Sequence, residues 1–136
     1  MADTADVRGR ARVWYPPHLA MGEGAVIGPG ANCYNMARIS LGPGTLVSQR
    51  AHLCAGSHDI ESPLFQLVAR PIRLDAHVWV AAEAFVGPGV TIHEGAVLGA
   101  RGAAFRDLDP WTVYIGNPAT PLRKRRIRSA DRPVRS

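Results

Sequence analysis

The sequence predicts an all-β fold, a solenoid built from three-sided coils. An aliphatic side chain returns at every sixth position, as in Leu74, Val80, Val86, Ile92 and Leu98, with Ala104 as a weaker last member. This period matches neither the 3.6-residue repeat of an α-helix nor the two-residue alternation of a strand. It is typical of coils with three flat faces, in which each six-residue face points one aliphatic side chain inward.

Two further patterns support the solenoid. The same period runs earlier through Met21, Ile27, Cys33 and Ile39, then restarts two residues later as Leu41, Val47 and Leu53. Gly-x-Gly segments recur at the spacing of the predicted corners, at residues 22–24, 28–30, 42–44 and 87–89. Glycine tolerates the positive φ of a sharp corner, and proline presets φ for a turn. Small residues also lie four positions after many repeat members, as at Ala25, Ala31 and Ala84. An ordinary β-sandwich with Gly/Pro turns is the alternative, but it would not place small residues and glycines at a fixed offset within a six-residue period.

The elements follow in order along the chain. Residues 1–12 are polar and charged and are expected to form a flexible N-terminal lead. Residues 13–119 form the β-helix domain, and the period breaks within residues 57–71, which we expect to protrude as a loop. Residues 120–136 are expected to form a basic C-terminal helix and tail. Thr120 is a suitable N-cap and Pro121 a suitable first helical residue, so the short helix is predicted over residues 121–128.

Composition and charge argue against a secreted protein, a membrane-spanning protein and a nucleic-acid-binding protein. The N-terminus has no apolar leader, and no stretch approaches the roughly 20 apolar residues of a membrane span, so we expect a cytoplasmic protein. Cys33 and Cys54 are best interpreted as small buried side chains in a reducing compartment. Seven of the 16 Lys and Arg side chains lie in residues 121–136, and the rest of the chain is slightly acidic. That tail lacks interleaved aromatics, so we expect no nucleic-acid partner.

Several local motifs resemble one known family. They are the segments 13–16 (Val-Trp-Tyr-Pro), 32–35 (Asn-Cys-Tyr-Asn), 54–59 (Cys-Ala-Gly-Ser-His-Asp), 78–82 (Val-Trp-Val-Ala-Ala) and 116–119 (Gly-Asn-Pro-Ala). Over residues 13–127 the chain resembles the hexapeptide-repeat sugar O-acetyltransferases, both the colanic-acid and exopolysaccharide type and the maltose, galactoside and nodulation-factor type. The resemblance implies a left-handed parallel β-helix, acetyl-CoA as cosubstrate, and a homotrimer with its active sites at the subunit interfaces.

His58 is the predicted catalytic residue. A sugar hydroxyl is a weak nucleophile near neutral pH and needs a base within hydrogen-bonding reach, a role that imidazole suits. His58 stands where the chain leaves the coil, and it matches the family's catalytic histidine. The hypothesis is direct transfer: His58 takes the proton of the acceptor hydroxyl while the hydroxyl oxygen attacks the thioester. The alternative is an ordinary histidine of a surface loop.

Two residues are expected at the acceptor. Asn35 matches an asparagine that the galactoside-type enzymes place near the acceptor, and the alternative is an asparagine that satisfies the backbone of a corner. Asp59 follows the catalytic histidine within the same matched motif, and we expect it to contact the substrate. The sequence does not identify the acceptor. An acetyltransferase of an amino sugar or antibiotic, and a non-enzymatic β-helix that binds a partner, both remain open.

The resemblance also implies contacts with the cosubstrate. Trp79 would line the pantetheine tunnel, though a packing role alone is open. The Ala82 N–H would stabilise the oxyanion of the thioester carbonyl, and Ala100 would touch the pantetheine through its backbone. The cations expected at the phosphates of coenzyme A are Arg106 and Arg123, by resemblance, and Lys124, by charge alone. The five histidines lack a metal-ligand spacing, so we expect no metal.

Overall fold

The computed structural model describes residues 2–128, which form a three-sided parallel β-helix. The first face comprises the strands Asp6–Val7, Val26–Ile27, Leu46–Val47, Trp79–Val80, Val97–Leu98, Thr112–Ile115 and Thr120–Lys124. The second face comprises Arg12–Val13, Asn32–Tyr34, His52–Cys54, Phe85–Val86 and Ala103–Ala104. The third face comprises Leu19–Met21, Ile39–Leu41, Ile72–Leu74 and Thr91–Ile92. The predicted all-β solenoid of the left-handed β-helix class is confirmed.

The core is a column of the predicted aliphatic side chains. Each member of the six-residue repeat from Met21 to Ala104 is buried, and most have no exposed surface. Each buried Val, Leu or Ile contributes about 1.5–3 kcal/mol relative to full exposure. The column therefore stabilises the coil through many similar contributions, with each layer covering the next.

The restart of the repeat after Ile39 has a structural cause. The third-face strand Ile39–Leu41 buries both of its ends, so this face contributes two inward side chains where the others contribute one. Val26 accordingly pairs with Leu46, which makes this coil 20 residues long, whereas Trp79 pairs with Val97 in a coil of 18. The two extra residues of the longer coil explain why the repeat restarts two positions later, at Leu41.

The Gly-x-Gly corners combine two separate demands. A Cβ on Gly42 would lie 2.6 Å from the backbone nitrogen of Ala76 in the next coil, so stacking requires the absence of a side chain. Gly44 has a φ of +69°, the left-handed conformation that ends the corner. In the segments 22–24, 28–30 and 42–44 the first glycine permits close stacking, and the second permits the turn.

The N-terminal segment was expected to be a flexible lead, and this is wrong for the residues that the structure describes. Asp6–Val7 pairs in parallel with Val26–Ile27, and Arg12–Val13 pairs with the strand that begins at Asn32. Residues 2–12 thus belong to the first coil. These strands are short and carry charged side chains, so the sequence shows no aliphatic repeat there. They are ordered by pairing with the strands of the next coil.

The predicted C-terminal helix over residues 121–128 is also wrong. Thr120–Lys124 is a strand that runs antiparallel to Thr112–Ile115. Thr112–Ile115 is the last strand of the parallel stack, and the returning chain pairs with its free edge, which outweighs the local capping signal of Thr120 and Pro121. Residues 125–128 have no regular structure, and the rest of the predicted tail lies outside the described residues. No helix in residues 2–128 has the length and apolar character to cross a membrane.

Candidate active site

The predicted loop over residues 57–71 forms a β-hairpin that projects from the corner between the second and third faces. Gly56–His58 pairs antiparallel with Leu67–Ala69, and His58 lies opposite Leu67. The Asp59 N–H donates to the Gln66 carbonyl at 3.0 Å, which closes the turn beyond His58. His58 is therefore held on a paired strand rather than on a free loop.

The backbone of Phe65 sets the tautomer of His58. Nδ1 of His58 lies 2.9 Å from the Phe65 carbonyl oxygen. A carbonyl oxygen can only accept a hydrogen bond, so Nδ1 of the neutral ring carries the proton and donates it. Nε2 then keeps its lone pair, and the exposed ring presents this basic nitrogen to solvent.

Phe65 also holds the plane of the His58 ring. The two rings stack with centroids 4.4 Å apart and an angle of 10° between their planes. Phe65 has a φ of +46°, an uncommon conformation for a residue other than glycine. The same residue thus provides both the hydrogen-bond acceptor and the stacking partner. The sequence did not single it out, because both contacts depend on closure of the hairpin.

An open cleft of about 440 Å³ lies beside the hairpin. Its lining consists of Ser57, His58, Asp59, Val68, Arg70 and Pro88. Asp59, expected at the substrate, does line this cleft. Its carboxylate also accepts a hydrogen bond from the Glu61 N–H at 3.1 Å, so it stabilises the hairpin turn as well.

Asn35 has a structural role in this chain. Its side chain is fully buried at the same corner, one coil above the hairpin. Its amide oxygen accepts from the Tyr15 N–H, and its amide nitrogen donates to the Tyr15 carbonyl, both at 2.7 Å. This pair of bonds imitates a strand pairing and favours the interpretation of Asn35 as a corner residue over contact with an acceptor.

The basic residues expected at coenzyme A lie near the last coil. Arg106 lines a depression of about 400 Å³ that Tyr114, Ala119 and Thr120 also line. Lys124 lies on the exposed C-terminal strand, where its Nζ donates to the Thr112 hydroxyl at 3.3 Å. Arg123 is its neighbour on that strand and donates to the Lys124 carbonyl at 3.2 Å.

The cysteines and the other histidines form no site with His58. Burial raises the pKa of the Cys33 thiol to about 12, so this side chain remains a protonated core residue. Burial lowers the pKa of His52, whose Nε2 has no hydrogen-bond partner within residues 2–128. Within that same range, no three side chains of His, Cys, Asp or Glu are grouped closely enough to hold a metal ion.

Known proteins are similar to this chain in sequence and in fold. No protein-family model matches it. A protein of Escherichia coli K12 named "Putative colanic acid biosynthesis acetyltransferase WcaF" is 40% identical over 119 residues, which are 88% of this chain and 65% of that protein. The chain belongs to the hexapeptide-repeat acetyltransferase family. It spans somewhat less than two thirds of the length of this relative.

Solved structures of the family have the same fold. The hexapeptide-repeat acetyltransferase VCA0836 of Vibrio cholerae superimposes with a TM-score of 0.86 at 21% identity, covering 91% of this chain and 72% of that one. A maltose O-acetyltransferase of Clostridium difficile 630 gives 0.83 at 21% identity, covering 92% and 68%. At this level of identity the likeness establishes the β-helix.

The residues matched to the family's cosubstrate site lie away from His58. Trp79 is on the first face, 41% exposed, and its indole N–H donates to the Ser48 hydroxyl at 2.9 Å. Ala82 and Ala100 lie at the corner between the first and second faces, and the Ala82 N–H donates to no other residue in the described part of the chain. His58 lies at the corner opposite the first face. One chain therefore brings His58 and Asp59 together but leaves Trp79, Ala82 and Ala100 apart from them.

Proposed function

We propose that this protein is an acetyl-CoA-dependent O-acetyltransferase that acts on a hydroxyl of a sugar or polysaccharide precursor. One observation carries the proposal: the Phe65 carbonyl fixes the proton of His58 on Nδ1 and leaves Nε2 free as a base beside an open cleft. The family membership adds support, since the WcaF relative bears the name of a colanic acid biosynthesis acetyltransferase. VCA0836 has a structure in complex with acetyl coenzyme A.

The proposed reaction is a direct transfer. Nε2 of His58 accepts the proton of the acceptor hydroxyl as the hydroxyl oxygen attacks the thioester carbonyl of acetyl-CoA. The carbon–sulfur bond then breaks, and the coenzyme A thiolate takes the proton back from His58. General base catalysis of this kind contributes about 10²–10⁴-fold to a rate. The acetyl ester and free coenzyme A are the only products.

The Ala82 N–H is proposed to stabilise the charge on the thioester oxygen during attack. It is a backbone donor without an acceptor among residues 2–128. A fixed donor aimed at developing charge is often a large term in acyl transfer. Trp79 is proposed to form one wall for the pantetheine. Arg106, Arg123 and Lys124 are proposed to pair with the phosphates of coenzyme A.

We infer that the complete site forms between chains of a homotrimer. His58 projects from the corner between the second and third faces, whereas Trp79 lies on the first face, across the prism. A rigid coil cannot bring these groups together within one chain. A head-to-tail contact between copies can, and such contacts close into rings. The oligomer is testable by light scattering, where a monomer at micromolar concentration would contradict the inference.

An assay of thiol release tests the proposed activity. Purified protein is mixed with acetyl-CoA and a panel of sugars, amino sugars and chloramphenicol, and free coenzyme A is measured. We expect turnover with a hydroxyl acceptor and a loss of about 10²–10⁴-fold in kcat for His58→Ala. His93→Asn, a change of a histidine outside the cleft, is the matched control and should retain activity. A folded His58→Ala protein with unchanged turnover would refute the role of His58, and transfer only to amines would favour the amino-sugar alternative.

A further inference from the structure

A second depression adjoins the His58 cleft on the third face. It measures about 430 Å³, and its lining includes the side chains of three arginines, Arg38, Arg70 and Arg73. We call this surface the arginine groove. Arg70 also lines the His58 cleft, so the two depressions are neighbours that share this side chain. A molecule that occupied both would have one part beside His58 and another beside guanidinium groups.

The β-helix itself brings the three arginines together. The Ile72 N–H donates to the Arg38 carbonyl at 3.0 Å, and Arg73 lies opposite Ser40 in the neighbouring coil. The aliphatic part of Arg70 rests on a corner glycine, because a Cβ on Gly89 would lie only 3.4 Å from the Arg70 Cδ. Arg70 thus extends over the coil corner at Gly89, a residue with a φ of +77°.

Two of the three positive charges have no ion-pair partner among residues 2–128. Arg73 is paired with Asp75 at 2.7 Å. Arg38 and Arg70 form no ion pair with any carboxylate of residues 2–128. The nearby carboxylates of Asp59 and Asp107 accept backbone N–H groups instead, those of Glu61 and Thr91. Unpaired guanidinium groups that border an open groove are suited to bind carboxylate or phosphate oxygens with two donors at once.

We propose that the arginine groove binds an anionic group of the acceptor while a hydroxyl of the same molecule reaches Nε2 of His58. The acceptor is then an acidic sugar, carrying either the carboxylate of a uronic acid or a phosphate ester. This inference rests on the proposed function, because it assigns the substrate class of the His58 site. The carboxylate and the phosphate ester have one feature in common: each is an oxyanion within one or two sugar units of the reacting hydroxyl.

Binding of defined probes, measured by isothermal titration calorimetry, tests the groove without any need for turnover. The probes are tetragalacturonate, its fully methyl-esterified form, and glucose 1-phosphate. We expect an anionic probe to bind and the neutral ester not to bind. Tetragalacturonate alone would assign the carboxylate, and glucose 1-phosphate alone would assign the phosphate. If neither anionic probe binds, or if the ester binds as well as the acid, the proposal is overturned.

Matched variants locate the binding. The double substitution Arg38→Gln/Arg70→Gln should weaken binding of the anionic probe by about tenfold or more, the equivalent of 1.4 kcal/mol. Arg38→Lys/Arg70→Lys, which keeps the charge and guards against a loss of folding, should fall between it and the wild type. Arg8→Gln, which removes an exposed arginine paired with Asp6 at the first coil, should bind as the wild type does. Equal binding by the glutamine double variant would refute the groove.

Turnover separates this inference from the function on which it rests. His58→Ala should still bind the anionic probe, so a failure of the catalytic proposal leaves the binding result intact. In the glutamine double variant, the KM for the acidic acceptor should rise while the KM for acetyl-CoA stays unchanged. A rise in the KM for acetyl-CoA alone would show that the groove holds the phosphates of coenzyme A, and it would overturn the proposal.

Discussion

At the residue scale, His58 and its backbone acceptor account for most of the proposed chemistry. The sequence identifies His58 through the Gly-Ser-His-Asp motif, which lies at the break in the repeat. Attack by a sugar hydroxyl needs a base, and histidine suits that role. Phe65 could not be found that way, since its carbonyl and ring meet His58 only through pairing across the hairpin. For Asn35 the sequence leaves two roles open, a residue that satisfies a corner and a residue that contacts the acceptor. The two hydrogen bonds between its side chain and the Tyr15 backbone favour the first role.

Phe65 is expected to act as a positioning residue for His58. Phe65→Ala removes the stacked ring but keeps the carbonyl, so we expect kcat to fall by about twofold to thirteenfold, in line with the roughly 0.5–1.5 kcal/mol of an aromatic pair. The KM for acetyl-CoA should not change. Phe65→Tyr should restore kcat, as steady-state thiol release will show. An equal loss in the tyrosine and alanine variants would contradict a role for stacking.

His52 is expected to make stability depend on pH. Burial lowers its folded-state pKa, so the neutral ring is favoured in the folded protein. The resulting stability is present above the unfolded pKa of about 6.5 and is lost as the pH falls below it. Denaturant unfolding between pH 7.5 and 5 should therefore show a smaller decline for His52→Leu than for the wild type. Parallel declines in the two proteins would contradict this assignment.

At the element scale, the sequence predicted strands best where the core is aliphatic. The six-residue repeat located each strand with an inward Val, Leu or Ile. It missed the first coil, where Asp6–Val7 and Arg12–Val13 are short and charged. The capping signal of Thr120 and Pro121 wrongly predicted a helix over residues 121–128, where the structure has the strand Thr120–Lys124. Both errors have one cause: these segments are ordered by the strands with which they pair, and their own local sequence does not show that pairing.

Stability is expected to depend on the absence of a side chain at the first glycine of a closely stacked corner. Gly42→Ala would place a Cβ 2.6 Å from a backbone nitrogen that cannot move away alone. We expect the free energy of unfolding to fall by about 1–3 kcal/mol, the usual effect of overpacking. Gly9→Ala is the control, because no atom lies within 4 Å of its Cβ position. Equal stability of the two variants by denaturant unfolding would show that the corner can relax.

At the scale of the whole molecule, the β-helix separates the parts of the proposed site. The corner that carries His58 and the face that carries Trp79 are on opposite sides of a rigid prism. The sequence supplied the residues on both sides, through motifs that resemble one family, but it contains no information on distance between faces. The fold provides that separation, and for this reason we propose that a second chain completes the site.

Subunit mixing tests this central claim most directly. His58→Ala and Trp79→Ala chains are co-expressed, and the thiol release of the mixed oligomers is compared with that of each parent. If a site takes His58 from one chain and Trp79 from the next, about a quarter of the sites in random trimers contain both wild-type residues. We therefore expect activity clearly above the mean of the two parents. Activity equal to that mean would place both residues in the same chain's site and contradict a site shared between chains.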